Sequence, residues 1–234
     1  MTTGALRLGN IEGFNVSWNV VGGEAGSSTM PDVTPVVYIV DDDISVREAL
    51  EALIREAGWR PWVFASAKEF LSHPRISCPS CLVLDVTLPD LNGLDLQQRI
   101  ATDQSNMPII FITGYGDVPM TVRAMKAGAV EFLTKPFDDE VLLSAIRSAI
   151  ERSEIALRHA SEMRVLQDRY ASLSGREREV MALVVRGLLN KQVGGELGIS
   201  EITVKAHRGR MMRKMRASSL ADLVTIAAKL CIPH

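Results

Sequence analysis

The chain has 234 residues, 47% hydrophobic and 23% charged, an ordinary composition with room for one or two buried cores. Its apolar runs, such as Val36–Val40 and 108–112, fall well short of the roughly 18 residues a membrane helix needs. Asn10, Glu12 and Asn15 interrupt any secretory core near the start, so a cytoplasmic protein without a membrane partner is expected. The net charge of −2 is unevenly spread: eleven Lys and Arg against five acids from Ala171 onward give +6 there and −8 before it. An acidic front and a basic back predict two separate jobs, the basic part lying against nucleic acid.

Residues 1–34 are rich in Gly, Ser, Thr and Asn without periodicity and are expected to form a disordered extension, with Met30 as an alternative start. From Val36 onward short apolar runs alternate with amphipathic stretches. Strands are predicted at 36–40, 60–64, 81–84, 108–112 and 130–133, and helices at 44–57, 66–72, 93–103, 118–127 and from 138 onward. Gly58 stops the first helix, Ser66 with Glu69 forms a capping box, and Asp117 caps the fourth helix ahead of Pro119. This alternation predicts an α/β domain at 35–150, a doubly wound five-stranded parallel sheet covered on both faces.

The fifth helix continues without Pro or Gly through a charged segment, where Met163, Leu166, Tyr170 and Leu173 recur at three- and four-residue steps. A helical linker is expected at 151–173, either solvated or self-paired as a coiled coil. Beyond it, four short helices are predicted at 176–186, 190–197, 201–215 and 219–230. Ser174 with Glu177, Asn190 and Ser200 serve as N-terminal caps, and Gly198 is the turn residue. An all-α helix-turn-helix domain is expected at 174–234.

The strand ends carry the chemistry. In an open parallel sheet, ligands bind beyond the carboxyl ends of the strands. There the sequence offers Asp41, Asp42 and Asp43 after the first strand, Asp85 after the third, Thr113 after the fourth and Lys135 after the fifth. Several carboxylates at one small site call for a hard divalent cation, Mg²⁺ foremost. A lysine ammonium and a threonine hydroxyl facing the same spot suit phosphoryl oxygens. Asp43 and Asp90 are read as solvated loop carboxylates. Cys78 and Cys81 form one CxxC without a second ligand pair and are read as packing residues, Cys81 opening a buried strand and Cys78 in its loop; Cys231 completes the three cysteines.

The stretches VYIVDDD at 37–43, LVLDVTLPDLNG at 82–93, ITGYGD at 112–117 and KAGAVEFLTKPF at 126–137 resemble the receiver domains of two-component response regulators. The resemblance implies that Asp85 accepts a phosphoryl group, and that Asp41 and Asp42 hold Mg²⁺ with Asp85 and the backbone carbonyl of Thr87. It implies further that Thr113 and Lys135 bind the phosphoryl oxygens, that Phe132 turns inward with Thr113 on activation, and that the Lys135–Pro136 bond is cis. Phosphatases and phosphotransferases with an aspartyl nucleophile carry a second Asp two residues on. Thr87 stands there, and no GxxxxGK loop occurs, so turnover of an external substrate is not expected.

REREV at 176–180, NKQ at 190–192, ELGIS at 196–200 and TVKAHR at 203–208 resemble the LuxR-type helix-turn-helix output domain. Together the two resemblances imply the NarL/FixJ group of transcription regulators, with 116–130 most similar to the FixJ-like branch. On the helix at 201–215, Val204, Met211 and Met215 form an inward stripe, leaving Lys205, Ala206, Arg208, Gly209 and Arg213 outward. Lys205 is the candidate base reader, and Arg208, Arg210, Arg213 and Lys214 are candidate phosphate contacts. Ala206 and Gly209 lie on the same groove-facing side. The implied partners are a sensor histidine kinase, double-stranded promoter DNA, a second copy of the chain after phosphorylation, and RNA polymerase. The alternative is a constitutive DNA-binding protein whose receiver serves only as an interaction module. Paired glycines at 194 and 195 are a departure from expectation, since each costs helix stability unless close packing demands it.

Overall fold

The computed structural model describes residues 34–74, 76–102 and 107–232. The extension expected at 1–34 lies, apart from Thr34, outside the described residues. Five strands form one sheet: β1 Val36–Val40, β2 Arg60–Phe64, β3 Ser80–Asp85, β4 Ile109–Thr113 and β5 Glu131–Thr134. All neighbouring strands are parallel, in the order β2-β1-β3-β4-β5. The helices between them are α1 Ile44–Glu56, α2 Ala67–Ser72, α3 Gly93–Thr102 and α4 Val118–Lys126, and α5 Asp139–Ala171 follows the last strand.

Both faces of the sheet are covered, which is why its central strands read as continuous apolar runs instead of alternating ones. Every residue of β1, β3 and β4 is buried. Period-two geometry divides their side chains between two cores. Val36, Tyr38, Val40, Leu82, Leu84 and Phe111 pack with α2, α3 and α4. Val37, Ile39, Val83, Ile110 and Ile112 pack on the other face with Leu50 and Ile54 of α1 and Leu142, Ile146 and Ala149 of α5.

Helix α5 runs unbroken for 33 residues, about 50 Å at the usual rise. Its first half is buried against the sheet through Leu142, Ala145, Ile146, Ala149, Ile150 and Ser153. Near its end, Leu166 and Tyr170 pack on a third core formed by α6 Gly175–Val185, α7 Asn190–Leu197, α8 Glu201–Met215 and α9 Leu220–Lys229. Val180, Met181, Val193, Val204, Met211, Met215 and Leu223 are fully buried there. Helix α7 ends on Gly198 in the left-handed conformation (φ 65°), which lets the chain turn directly into α8.

Several local expectations change. Ser66 does cap α2, its hydroxyl accepting from the Glu69 N–H, but the Glu69 carboxylate accepts from the Ala65 N–H (2.9 Å), so the pair is not a reciprocal box. Asn190 is the first helical residue of α7 and Leu189 holds the cap position, its N–H donating to the Gln192 side chain (2.8 Å). Asp43 and Asp90 are caps: Asp43 accepts from Ser45 N–H (2.8 Å), and Asp90 accepts from Lys68 and Ala67 N–H groups at the start of α2. Those backbone bonds hold the Asp90 carboxyl below the usual range despite an opposing desolvation cost. The box of Ser174 with Glu177 is reciprocal, as expected, and Asp117 and Ser200 cap α4 and α8.

Candidate acidic pocket and nucleic-acid interface

Three neighbouring strands deliver the pocket. Asp41 follows β1, Asp85 ends β3 and Thr113 ends β4, all three buried, Asp41 and Thr113 with 0% of their surface exposed. Asp42 is exposed beside them. Lys135 follows β5 on a cis peptide bond to Pro136 and reaches back across the strand ends. Its ammonium donates to Oδ2 of Asp41 at 2.6 Å and to Oδ2 of Asp85 at 2.8 Å. Burial would lower the lysine's pKa, but these two bonds outweigh it and hold the pKa above its ordinary value. Burial likewise pushes the Asp41 carboxyl up, against hydrogen bonds from Lys135 and from the Asp43 N–H (2.9 Å).

The other Asp85 oxygen, Oδ1, accepts from the N–H of Thr87 (2.9 Å), which fixes the carboxylate's rotation. The Thr113 hydroxyl accepts from Tyr115 N–H (3.2 Å). Phe132 on β5 is half-buried, its ring 6.1 Å from that of Phe111. One residue unforeseen from the sequence braces the pocket: Arg47 of α1 donates to the Asp41 carbonyl at 2.7 Å. The two residues are six apart, Arg47 in the first turn of α1, and its acceptor is a backbone carbonyl, which no side-chain motif marks.

Carboxylate oxygens of Asp41, Asp42 and Asp85 lie within 4.8 Å of one another. A set of hard oxygen donors this close, one of them fully buried, fits a divalent cation such as Mg²⁺. A single lysine leaves the cluster short of charge neutrality by itself.

The second site is the outer side of α8. Val204, Met211 and Met215 are buried, while Ile202, Lys205, Ala206, Gly209, Arg210 and Arg213 are exposed. Lys205 pairs with Glu201 one turn earlier (3.1 Å), both side chains well exposed. Arg208 donates to the Asn190 side chain on α7 (2.9 Å), so the start of α7 orients it. Arg213 Nε reaches the Gly209 carbonyl (3.4 Å). The ammonium of Lys214, an expected phosphate contact, donates to the Glu177 carboxylate of α6 (2.6 Å) and to the Ser172 carbonyl (3.0 Å), while the residue stays exposed. Arg210 lies 3.7 Å from the same carboxylate and 3.3 Å from the His207 ring.

Comparison with known proteins agrees with both halves. Residues 37–147 match the response regulator receiver domain, and residues 171–227 match the luxR family of bacterial regulatory proteins. The chain is 49% identical to nodulation protein W of Bradyrhizobium diazoefficiens, over 92% of this chain and 93% of that protein. It is 47% identical to the response regulator protein TmoT of Ectopseudomonas mendocina (89% and 94% covered) and 42% identical to the transcriptional regulatory protein FixJ of Bradyrhizobium diazoefficiens (82% and 94% covered). The solved structure of the response regulator StyR superposes with a TM-score of 0.77 at 46% identity, covering 84% of this chain and all of that one.

Proposed function

Because the chain belongs to the response regulators that join a receiver domain to a LuxR-type DNA-binding domain, we propose that Asp85 is its phosphoryl acceptor and that phosphorylation there controls promoter binding by α8. The observation carrying this reading is the Lys135 ammonium held between Asp41 and Asp85 at the carboxyl ends of the sheet. An Asp85 oxygen attacks the phosphorus of a phosphoryl group carried by a sensor histidine kinase, and the bond from phosphorus to the donor breaks. Lys135 then moves with the new negative charge, bonding a phosphoryl oxygen in place of the lost carboxylate charge. The Thr113 hydroxyl turns to a second oxygen, and Phe132 fills the space it leaves. Asp41, Asp42, Asp85 and the Thr87 carbonyl would hold Mg²⁺, which would supply positive charge against that developing on the transferred group.

The receiver occupies 35–150, the helical linker 151–173 and the output domain 174–234. The linker carries the receiver's change to the output domain along one continuous helix. Lys205, with Ala206 and Gly209 beside it, meets base edges in the major groove, and Arg208, Arg210 and Arg213 meet phosphates. One short helix reads few base pairs, so phosphorylated chains bind paired half-sites as a homodimer and engage RNA polymerase from there. The protein acts in the cytoplasm and turns over no external substrate; its chemistry is the gain and loss of its own phosphoryl group.

The test is a small-molecule phosphodonor with Mg²⁺, read by intact mass and by DNA affinity. Wild type gains one phosphoryl group and binds its promoter more tightly; Asp85→Asn gains none. Equal labelling of both proteins would overturn the acceptor assignment. Labelling without any change in DNA affinity favours the constitutive alternative, with the receiver as an interaction module.

A further inference from the structure

We propose that Ile202 is a specificity-determining residue of α8, packing on the methyl group of a thymine in the major groove. The inference rests on α8 being the groove helix, and extends base reading to a position with no hydrogen-bonding group.

Ile202 is 80% exposed, the second residue of a helix whose opposite side is fully buried through Val204, Met211 and Met215. It heads a line of exposed residues at three-, four- and seven-residue steps, Lys205, Ala206 and Gly209, that runs along one side of the helix. Ser200 caps the helix, its hydroxyl accepting from the Thr203 N–H (3.2 Å), so the first turn is regular and Ile202 projects to the same side as Lys205. In a helix-turn-helix the N-terminal residues of the second helix come nearest the base edges. Ile202 stands there, one turn before Lys205.

Its chemistry narrows the ligand. An isoleucine side chain neither donates nor accepts, so the acceptors of guanine and the amino groups of cytosine and adenine offer it nothing. The feature of the major groove that it can recognise is the C5-methyl of thymine. Branching at Cβ restricts its χ1 in a helix, so the contact orders a side chain that is already stiff. A polar base edge opposite Ile202 would lose water without gaining a partner, which disfavours other bases at that position.

The experiment uses the full chain after phosphodonor treatment. Duplexes are selected from a randomised pool by wild type, and each thymine of the selected site is replaced in turn by uracil, which removes only the methyl. Wild type, Ile202→Ala and Lys205→Ala are compared at fixed salt. At one thymine per half-site, uracil should weaken wild-type binding about fourfold, the worth of burying one methyl group, and should leave Ile202→Ala unchanged. If every methyl effect seen in wild type persists in Ile202→Ala, while Lys205→Ala loses its preference for the selected site, the inference about Ile202 fails and the groove helix stands. If Lys205→Ala keeps full preference as well, α8 is not the reading helix and both fall. Ile202 has no buried contacts to lose, so Ile202→Ala is expected to fold as wild type does, checked by its unchanged phosphoryl gain and circular dichroism.

Discussion

Lys214 on α8 places its ammonium 2.6 Å from Oε2 of Glu177 on α6, a carboxylate with only 4% of its side chain exposed. Glu177 is also the third residue of α6 and accepts from the Ser174 N–H (2.9 Å), so one carboxylate closes the start of α6 and anchors the last turn of α8. Helix α8 is therefore tied to α6 by a charged bond.

Removing either partner should loosen α8, and removing Glu177 also frees Arg210, which lies 3.7 Å from the same carboxylate. Lys214→Met leaves the buried carboxylate to the more distant Arg210 and should cost roughly 1.5–3 kcal/mol, the worth of a hydrogen bond to a charged group. Hydrogen exchange of α6 and α8 amides at neutral pH reads this directly. The Lys214 bond, then the Ser174 N–H, hold Glu177 below its ordinary pKa of about 4.5. A depressed carboxylate gives stability that is complete above the unfolded value and is lost as pH falls through the folded one. The protection gap between wild type and Glu177→Gln should stay constant above about pH 4.5 and shrink below it. A gap independent of pH down to complete acid unfolding would rule out an ionised Glu177 as the anchor.

The glycines of α7 should separate cleanly. A Cβ at Gly194 would lie 2.7 Å from the Ile199 carbonyl oxygen, whereas a Cβ at Gly195 would meet nothing within 4 Å. Gly195→Ala should stabilise the output domain by about 0.5–1 kcal/mol through helix propensity. Gly194→Ala should destabilise it, because backbone must move where α7 turns toward α8. Thermal unfolding of the two variants decides the matter; equal shifts of the same sign would refute the close approach.

This pair also shows where the sequence stops being informative. As letters, Gly194 and Gly195 are equivalent, and only the path of the chain through Gly198 to Ile199 distinguishes them. The central strands β1, β3 and β4 were legible because burial on both faces writes apolar runs into the sequence, and the observed ends of all five differ from expected ones by a residue or so. The pocket was legible because each of its residues sits at a strand end, a position the apolar runs already mark. Contacts between distant segments were not. Asp90 lies 22 residues from the Lys68 N–H it caps, and Lys214 lies 37 residues from Glu177. Asp90 reads as a solvated charge and Lys214 as a phosphate contact, because no local period links either to its partner. Ser153, buried mid-α5 and accepting from the Ser80 N–H (3.0 Å), is a third such contact.

The cation site can be probed without disturbing the core. Asp42 is the exposed carboxylate of the cluster, whereas Asp41 is fully buried and braced by Lys135. Asp42→Asn should leave thermal stability nearly unchanged and weaken Mg²⁺ binding by about tenfold or more, since even outer partners of a metal are worth that much. Phosphorylation by a small-molecule donor should slow in step. Calorimetric Mg²⁺ titration of both proteins checks it, and an unaltered affinity would remove Asp42 from the ligand set.

Lys205 and Arg213 should differ in kind on DNA. The pairing of Lys205 with Glu201 joins two exposed side chains and is weak enough to yield to a base edge. Lys205→Ala should cost about 1–3 kcal/mol on the cognate site and much less on unrelated DNA. Arg213→Ala should weaken both DNAs by similar factors and reduce the salt slope by about one phosphate's worth. A phosphate contact releases counterions whatever the sequence, whereas a base contact depends on the pattern of donors and acceptors in the groove. Glu201→Gln removes an exposed negative charge paired with Lys205, so it should strengthen binding to unrelated DNA more than to the cognate site. Affinities for both duplexes across a salt series measure all three variants together. If Lys205→Ala lowers affinity equally on the two DNAs, Lys205 is a phosphate contact, and base reading passes to Ala206, Gly209 and the residue that heads their line, Ile202.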